Sequence, residues 1–155
     1  MIKDIIVVKE AGDEAEQFLS KTCNKVKLEE GRLIIKDLLD TAMANNAKYE
    51  AGETDKGCCG LAANQIGYQS RVIIYSRPDG TWGSMMNPVL VNKSSATIES
   101  NEGCMSFPDM KTVTRYKSIE VMYMNQQGKW VREKFHGFTA IEVQHEMDHL
   151  NGILI

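Results

Sequence analysis

The chain closes on QHEMDHLNGILI, residues 144–155, and this tail constrains the fold more than any other stretch. His145, Glu146 and His149 stand in the order H-E-x-x-H. Two histidines four residues apart share one face of a helix, so both rings can reach one divalent metal ion. A catalytic metal of this kind takes three protein ligands and keeps one open position. The fold must therefore carry a third donor to the closing helix. Ile155 stands six residues after His149, where one familiar continuation of the pattern has a third histidine.

The rest of the chain reads as an α+β fold: an N-terminal helix, mostly antiparallel strands, and a C-terminal metal-binding helix. EEGRLIIKDLLDTAMANNAKYEAG, residues 29–52, repeats apolar residues at helical spacing through Leu33, Ile34, Leu38, Thr41 and Ala42, with Gly52 beyond its end. RVIIY, MMNPVLVNKS, SATIES, TVTRYKSIEVMYMN and KWVREKFHGF follow as strands. Asn125-Gln126-Gln127-Gly128 suits a hairpin turn, with glycine where positive φ is needed. The closing helix is expected to start at Thr139, whose T-x-x-E spacing with Glu142 matches a capping box. Ala140, Val143, Met147 and Leu150 then form its apolar stripe.

No repeat, low-complexity tract or linker divides the 155 residues, so one domain over 1–155 is the expectation. A net charge of −3 argues against a protein that works by gripping nucleic acid. The opening MIKDIIVVKEAGDE is broken by Lys3, Asp4 and Lys9, unlike a signal peptide or membrane span. A cytoplasmic protein is the expectation. The four cysteines, Cys23, Cys58, Cys59 and Cys104, match no C-x-x-C pattern, and an intracellular chain of this length needs no disulfides.

Candidates for the third donor are few. His136, the one remaining histidine, reads as a surface or packing residue on a strand. Cys104 lies in NEGCMSFPDM, whose Glu102, Gly103 and Ser106 mark a turn or strand end. On spacing alone it is either a thiolate ligand beside two neutral imidazoles or an inert buried cysteine. GCCGLAANQIGYQ, residues 57–69, is a Gly/Cys loop running into small residues and ending near Gln65. Ala62 and Ala63 leave room for close approach, though such a stretch in isolation also suits the start of a packed helix.

CCGLAANQ (58–65), EGCMS (102–106) and QHEMDH (144–149) together, in this order, resemble the peptide deformylase family. Its motifs are G-x-G-x-A-A-x-Q, E-G-C-x-S and Q-H-E-x-D-H; the first lacks only its opening glycine here. Asn87-Pro88, Arg115 and Gly137-Phe138 are lesser echoes, and the likeness runs from about residue 13 onward. The resemblance implies one divalent metal per chain held by Cys104, His145 and His149. That metal would be Fe2+ in the cell, with Zn2+, Ni2+ or Co2+ able to replace it. Glu146 would be the general base and acid, and Gln65 and the Met105 N–H would bind the carbonyl oxygen. Cys59, Gly60, Phe138 and Ile141 would contact substrate, while Glu102, Arg115 and Asp148 would support the ligands. The implied reaction removes the N-formyl group from the N-terminal methionine of new polypeptides, releasing formate. The implied partners are N-formylmethionyl peptides and, transiently, the ribosome, without nucleic-acid specificity or a membrane.

Three departures bear on that expectation. Cys58 replaces the first motif's opening glycine, so its sulfur would crowd the site or slow turnover, unless Gly57 supplies the flexibility. Glu142 places a carboxylate next to Phe138 and Ile141, which would weaken thioether binding unless it turns into the helix cap. The chain also stops at Ile155, shortly after the helix. The rival readings are a deformylase-like binder with little turnover and a zinc endopeptidase.

Overall fold

A computed structural model describes all 155 residues. Helix α1 (Glu14–Leu19) and helix α2 (Leu28–Glu50) lead into β1 (Gly60–Ala62), a 3-10 turn (Ala63–Ile66) and β2 (Val72–Ser76). Then come β3 (Trp82–Lys93), β4 (Thr97–Cys104), β5 (Phe107–Tyr116), β6 (Ser118–Met124), β7 (Trp130–His136) and α3 (Gly137–Leu150). Five strands form one sheet in the order β1-β2-β3-β6-β7, and β4 and β5 form a separate hairpin. Every strand pair is antiparallel.

The larger sheet lies between two helices. Ile73 and Tyr75 of β2 pack with Ala140, Val143, Met147 and Leu150 of α3. Val72 and Ile74 pack on the other side with Ile34, Ile35, Leu38 and Ala42 of α2. A strand buried on both faces needs apolar residues at every position, which is why RVIIY does not alternate. A third cluster joins Val8 and Leu19 to Cys104 and Phe107. The N-terminal segment is strapped across the same region, with Ile6 N donating to Gln65 O at 2.7 Å and Val8 N to Ser106 O at 2.8 Å.

Several local expectations change. The short helix α1 is additional; Asp13 caps it by accepting from Glu16 N at 2.8 Å. Leu33 is exposed and Ile35 takes the buried place, because the sheet covers a face of α2 rotated from the predicted one. TVTRYKSIEVMYMN divides at Lys117 between the hairpin and the sheet. Asn87-Pro88 lies inside β3, where the register with β6 shifts between Met86 and Val89 and Asn87 has φ 51°. Helix α3 starts at Gly137, two residues before Thr139, with His136 as an N-cap that makes no side-chain bond. The Thr139–Glu142 capping box therefore does not form. The 125–128 turn stands as expected, with Asn125 O accepting from Gly128 N at 3.0 Å and Gly128 at φ 77°.

Gly152 locks the end of α3 onto α1. Its φ is +70°, and an added Cβ would lie 2.2 Å from the Ser20 carbonyl oxygen. Backbone cannot yield as a flexible side chain does, so Gly152→Ala is expected to destabilise the fold by about 1–3 kcal/mol. A urea midpoint equal to that of the unmodified protein would count against this.

Candidate metal centre

Two elements meet at one point. Cys104 ends β4, and α3 carries His145 and His149 on one face. The three ligand atoms lie within 4.8 Å of one another, and all three residues are buried. Cys104 Sγ is 3.3 Å from His149 Nε2. The open alternative for Cys104 closes in favour of a place beside the two rings. A soft thiolate with two imidazoles is a donor set that suits Fe2+, Zn2+, Co2+ or Ni2+.

The electrostatics fit a cation there. Burial opposes a charge on His145, yet its bonds to Cys104 and Glu102 and the nearby Glu146 carboxylate outweigh burial and raise its pKa. The position thus favours positive charge, which a divalent ion supplies. Burial and the His145 charge push His149 well below the ordinary histidine value, leaving its ring neutral with a lone pair to offer.

A charge network braces one side of the site. Glu102 Oε1 lies 2.9 Å from His145 Nδ1 and fixes that ring. Arg115 grips both Glu102 oxygens, at 2.8 and 2.7 Å, and also pairs with Asp148. Burial alone would raise the Glu102 pKa, but the bonds from Arg115 and His145 hold it down at about 2. Only His145 has a partner on the ring nitrogen that faces away from the site. His149 Nδ1 is buried with no partner, and this histidine is held instead by Asn64 Nδ2 donating to its carbonyl at 2.8 Å.

Glu146 lies 4.0 Å from His145 Nε2, buried, with Oε2 free of any protein partner. Burial raises its pKa to about 7 against the pull of the His145 charge. Gly60 makes room for it, since a Cβ there would lie 2.9 Å from Glu146 Oε1. Gln65 Oε1 accepts from Ala62 N at 2.9 Å, while its Nε2 donates to Ser106 Oγ at 3.0 Å and lies 3.6 Å from Cys104 Sγ. Cys59, Gly60, Gln65, Met105, Phe138, Ile141, His145 and Glu146 all line one cavity of about 280 Å³.

Cys58 is not among the cavity residues. Its side chain is buried in the core cluster on the α2 side, and Asn46 bonds both its N–H and its carbonyl. The expected crowding by its sulfur does not arise, because the backbone turns that side chain away from the cavity. All four cysteines are free thiols. Glu142 takes the first of its two expected courses, beside Phe138 and Ile141. It does not turn into the helix cap but lines the cavity, accepting from Ser76 Oγ at 3.0 Å.

One contributor carries no sequence pattern. Lys56 Nζ donates to the carbonyls of Cys104 at 3.1 Å and Phe107 at 2.6 Å, pinning the turn that presents the thiol and Met105. Lys56→Met is expected to cost about 1–3 kcal/mol of stability and to weaken metal retention, with Lys56→Arg recovering part of both. Urea unfolding and metal analysis after dialysis read the two effects; retention unchanged in Lys56→Met would refute the bracing role.

The sequence model of the family described as Polypeptide deformylase matches residues 5–155. The chain belongs to the peptide deformylase family. Its likeness to that family begins earlier than the motifs suggested, at residue 5 and not near 13. The peptide deformylase of Clostridium beijerinckii is 34% identical over 159 residues, covering 100% of this chain and 97% of that relative. The structure of the Thermotoga maritima peptide deformylase superposes with a TM-score of 0.80 at 32% identity, over 99% of this chain and 95% of that one. A class I type b peptide deformylase from Acinetobacter baumannii, bound to Met-Ala-Ser, gives a TM-score of 0.80 at 30% identity, over 99% and 96% of the two chains. Members of the family are metallohydrolases, and the Cys104–His145–His149 group supports a single metal in this one. No helix of this chain is long and apolar enough to cross a membrane.

Proposed function

We propose that this chain, as one catalytic domain over 1–155, hydrolyses the formamide bond of N-formylmethionyl peptides to formate and a free amine. The observation that carries the reading is the convergence of Cys104, His145 and His149 beside the unpartnered Glu146 carboxyl. A divalent metal held by those three ligands, Fe2+ in the cell and Zn2+, Ni2+ or Co2+ as substitutes, would polarise the formyl group and acidify water.

The chain's own groups do the rest. Glu146 takes a proton from the attacking water and passes it to the leaving amine nitrogen, so that the C–N bond breaks with the proton delivered. The Gln65 amide and the Met105 N–H face the negative charge that develops on the carbonyl oxygen, and one such donor is worth about 3–4 kcal/mol. For Gln65 this requires its Nε2 to share or leave the bond to Ser106. Cys59, Gly60, Phe138 and Ile141 hold the substrate, while Glu102, Arg115 and Asp148 keep His145 oriented. Substrates of this kind arise on new polypeptides, which puts the enzyme in the cytoplasm with transient access to the ribosome.

The burial of Cys58 in the core removes the reason for expecting slow turnover. For the endopeptidase reading, nothing in the site supplies the third histidine. The test is formate release from formyl-Met-Ala-Ser by protein loaded with Fe2+ and kept reduced. A chelator should abolish turnover, and Fe2+, Zn2+, Ni2+ or Co2+ should restore it. Loaded protein that releases no formate withdraws the proposal, and cleavage of internal, unformylated bonds would favour the peptidase.

A further inference from the structure

Glu142 is a buried acid that the proposed reaction does not use. It stands one turn before Glu146 on α3 and shares the cavity wall with Cys59, Phe138 and Ile141. Only 6% of it is exposed. Oε1 accepts from Ser76 Oγ, and Oε2 is buried with no partner. No lysine or arginine pairs with the carboxyl. Such a group is costly to bury unless a further donor satisfies it. The bond from Ser76 is the one use the fold makes of it, since the helix cap is formed without it.

We infer that Glu142 is a specificity-determining residue: it gives the subsite for the first side chain a hydrogen-bond acceptor, so that N-formyl peptides whose first side chain ends in an N–H donor are taken as well as formyl-methionyl ones. With Oε1 engaged by Ser76, the ionised carboxyl offers Oε2 as an acceptor that a thioether cannot satisfy; burial raises its pKa to about 7, so the acceptor is available above that pH. Glutamine fits the demand, because it is close to methionine in length and ends in an amide with two N–H donors. The reaction in this inference rests on the deformylase reading, whereas the binding preference does not.

The experiment compares formyl-Met-Ala-Ser, formyl-norleucyl-Ala-Ser and formyl-Gln-Ala-Ser as substrates of the Fe2+-loaded protein. Calorimetric Kd values for Met-Ala-Ser and Gln-Ala-Ser are measured in parallel. The unmodified chain should bind and cleave the glutamine peptides within about tenfold of the methionine ones. Glu142→Leu should shift the glutamine-to-methionine ratio towards methionine by roughly ten- to a hundredfold, the size of one buried hydrogen bond to a charged group. Glu142→Gln, which keeps the shape and a carbonyl acceptor, should shift it less and serves if the leucine variant fails to fold. A ratio that moves less than twofold in both variants overturns the inference, as does a hundredfold preference for methionine in the unmodified chain. Absence of formate from every peptide would remove the deformylase reading alone, since the Kd ratio still decides the role of Glu142.

Discussion

Glu146→Gln is expected to lower kcat/KM on formyl-Met-Ala-Ser by about 100- to 10,000-fold, the range for loss of a positioned general acid–base. The substitution is nearly isosteric. It should leave the α3 backbone, the Gly60 contact and the three metal-ligating atoms in place, so metal content should not change. What disappears is the ability to accept a proton. The site is arranged around that ability, because the carboxyl is buried, one oxygen has no protein partner, and the space beside it exists only for want of a Cβ at Gly60. Steady-state kinetics with metal analysis of the same sample distinguish the outcomes. Activity within tenfold of the unmodified enzyme, at equal metal content, would assign the proton transfer elsewhere.

Arg115→Ala should act through structure and metal together. The guanidinium is the shared partner of Glu102 and Asp148, and both Arg115 and Glu102 are almost wholly buried. Removing one partner of a buried ion pair leaves the other charge uncompensated, at a cost of about 3–5 kcal/mol. Glu102 would then hold the His145 ring less firmly, and loss of such a supporting carboxylate weakens metal affinity by about 10- to 100-fold. The pH dependence has a definite sign. The folded-state pKa of Glu102 is depressed, so its contribution is present above the ordinary carboxyl value and is lost as pH falls from about 4.5 towards about 2. In Arg115→Ala, burial acts on Glu102 with less opposition. The stability gap between variant and unmodified protein should therefore narrow as the solution is acidified. Equal urea midpoints at pH 7, or unchanged metal retention after dialysis, would contradict this account.

Much of the site was legible before any coordinates because its signals are short-range. A helix puts residues four apart on one face, so His145 and His149 followed from spacing alone, as did the stripe of Ala140, Val143, Met147 and Leu150 beneath them. Pairing Cys104, Gln65 and Met105 with that helix needed the family likeness, since no local rule links residues forty positions apart. The tertiary structure then brought Gln65, Cys104, Met105 and His145 to one cavity and showed Glu102 and Arg115 behind His145.

Side-chain direction at long range was settled only by packing. Both Cys58 and Glu142 stood out in the sequence, each with two possible courses that spacing could not decide between. The Cys58 side chain belongs to the α2 face of the sheet, while Glu142 is drawn to Ser76 at the end of β2 and not into its own helix cap. Lys56 has no pattern at all, and its two carbonyl partners lie about fifty residues away. Chain periodicity and motif chemistry thus decided the longer elements and which atoms can ligate a metal. Which way each irregular side chain turns was decided by the sheet and its two covering helices, because only a buried, already packed surface makes one rotamer affordable and the rest prohibitive.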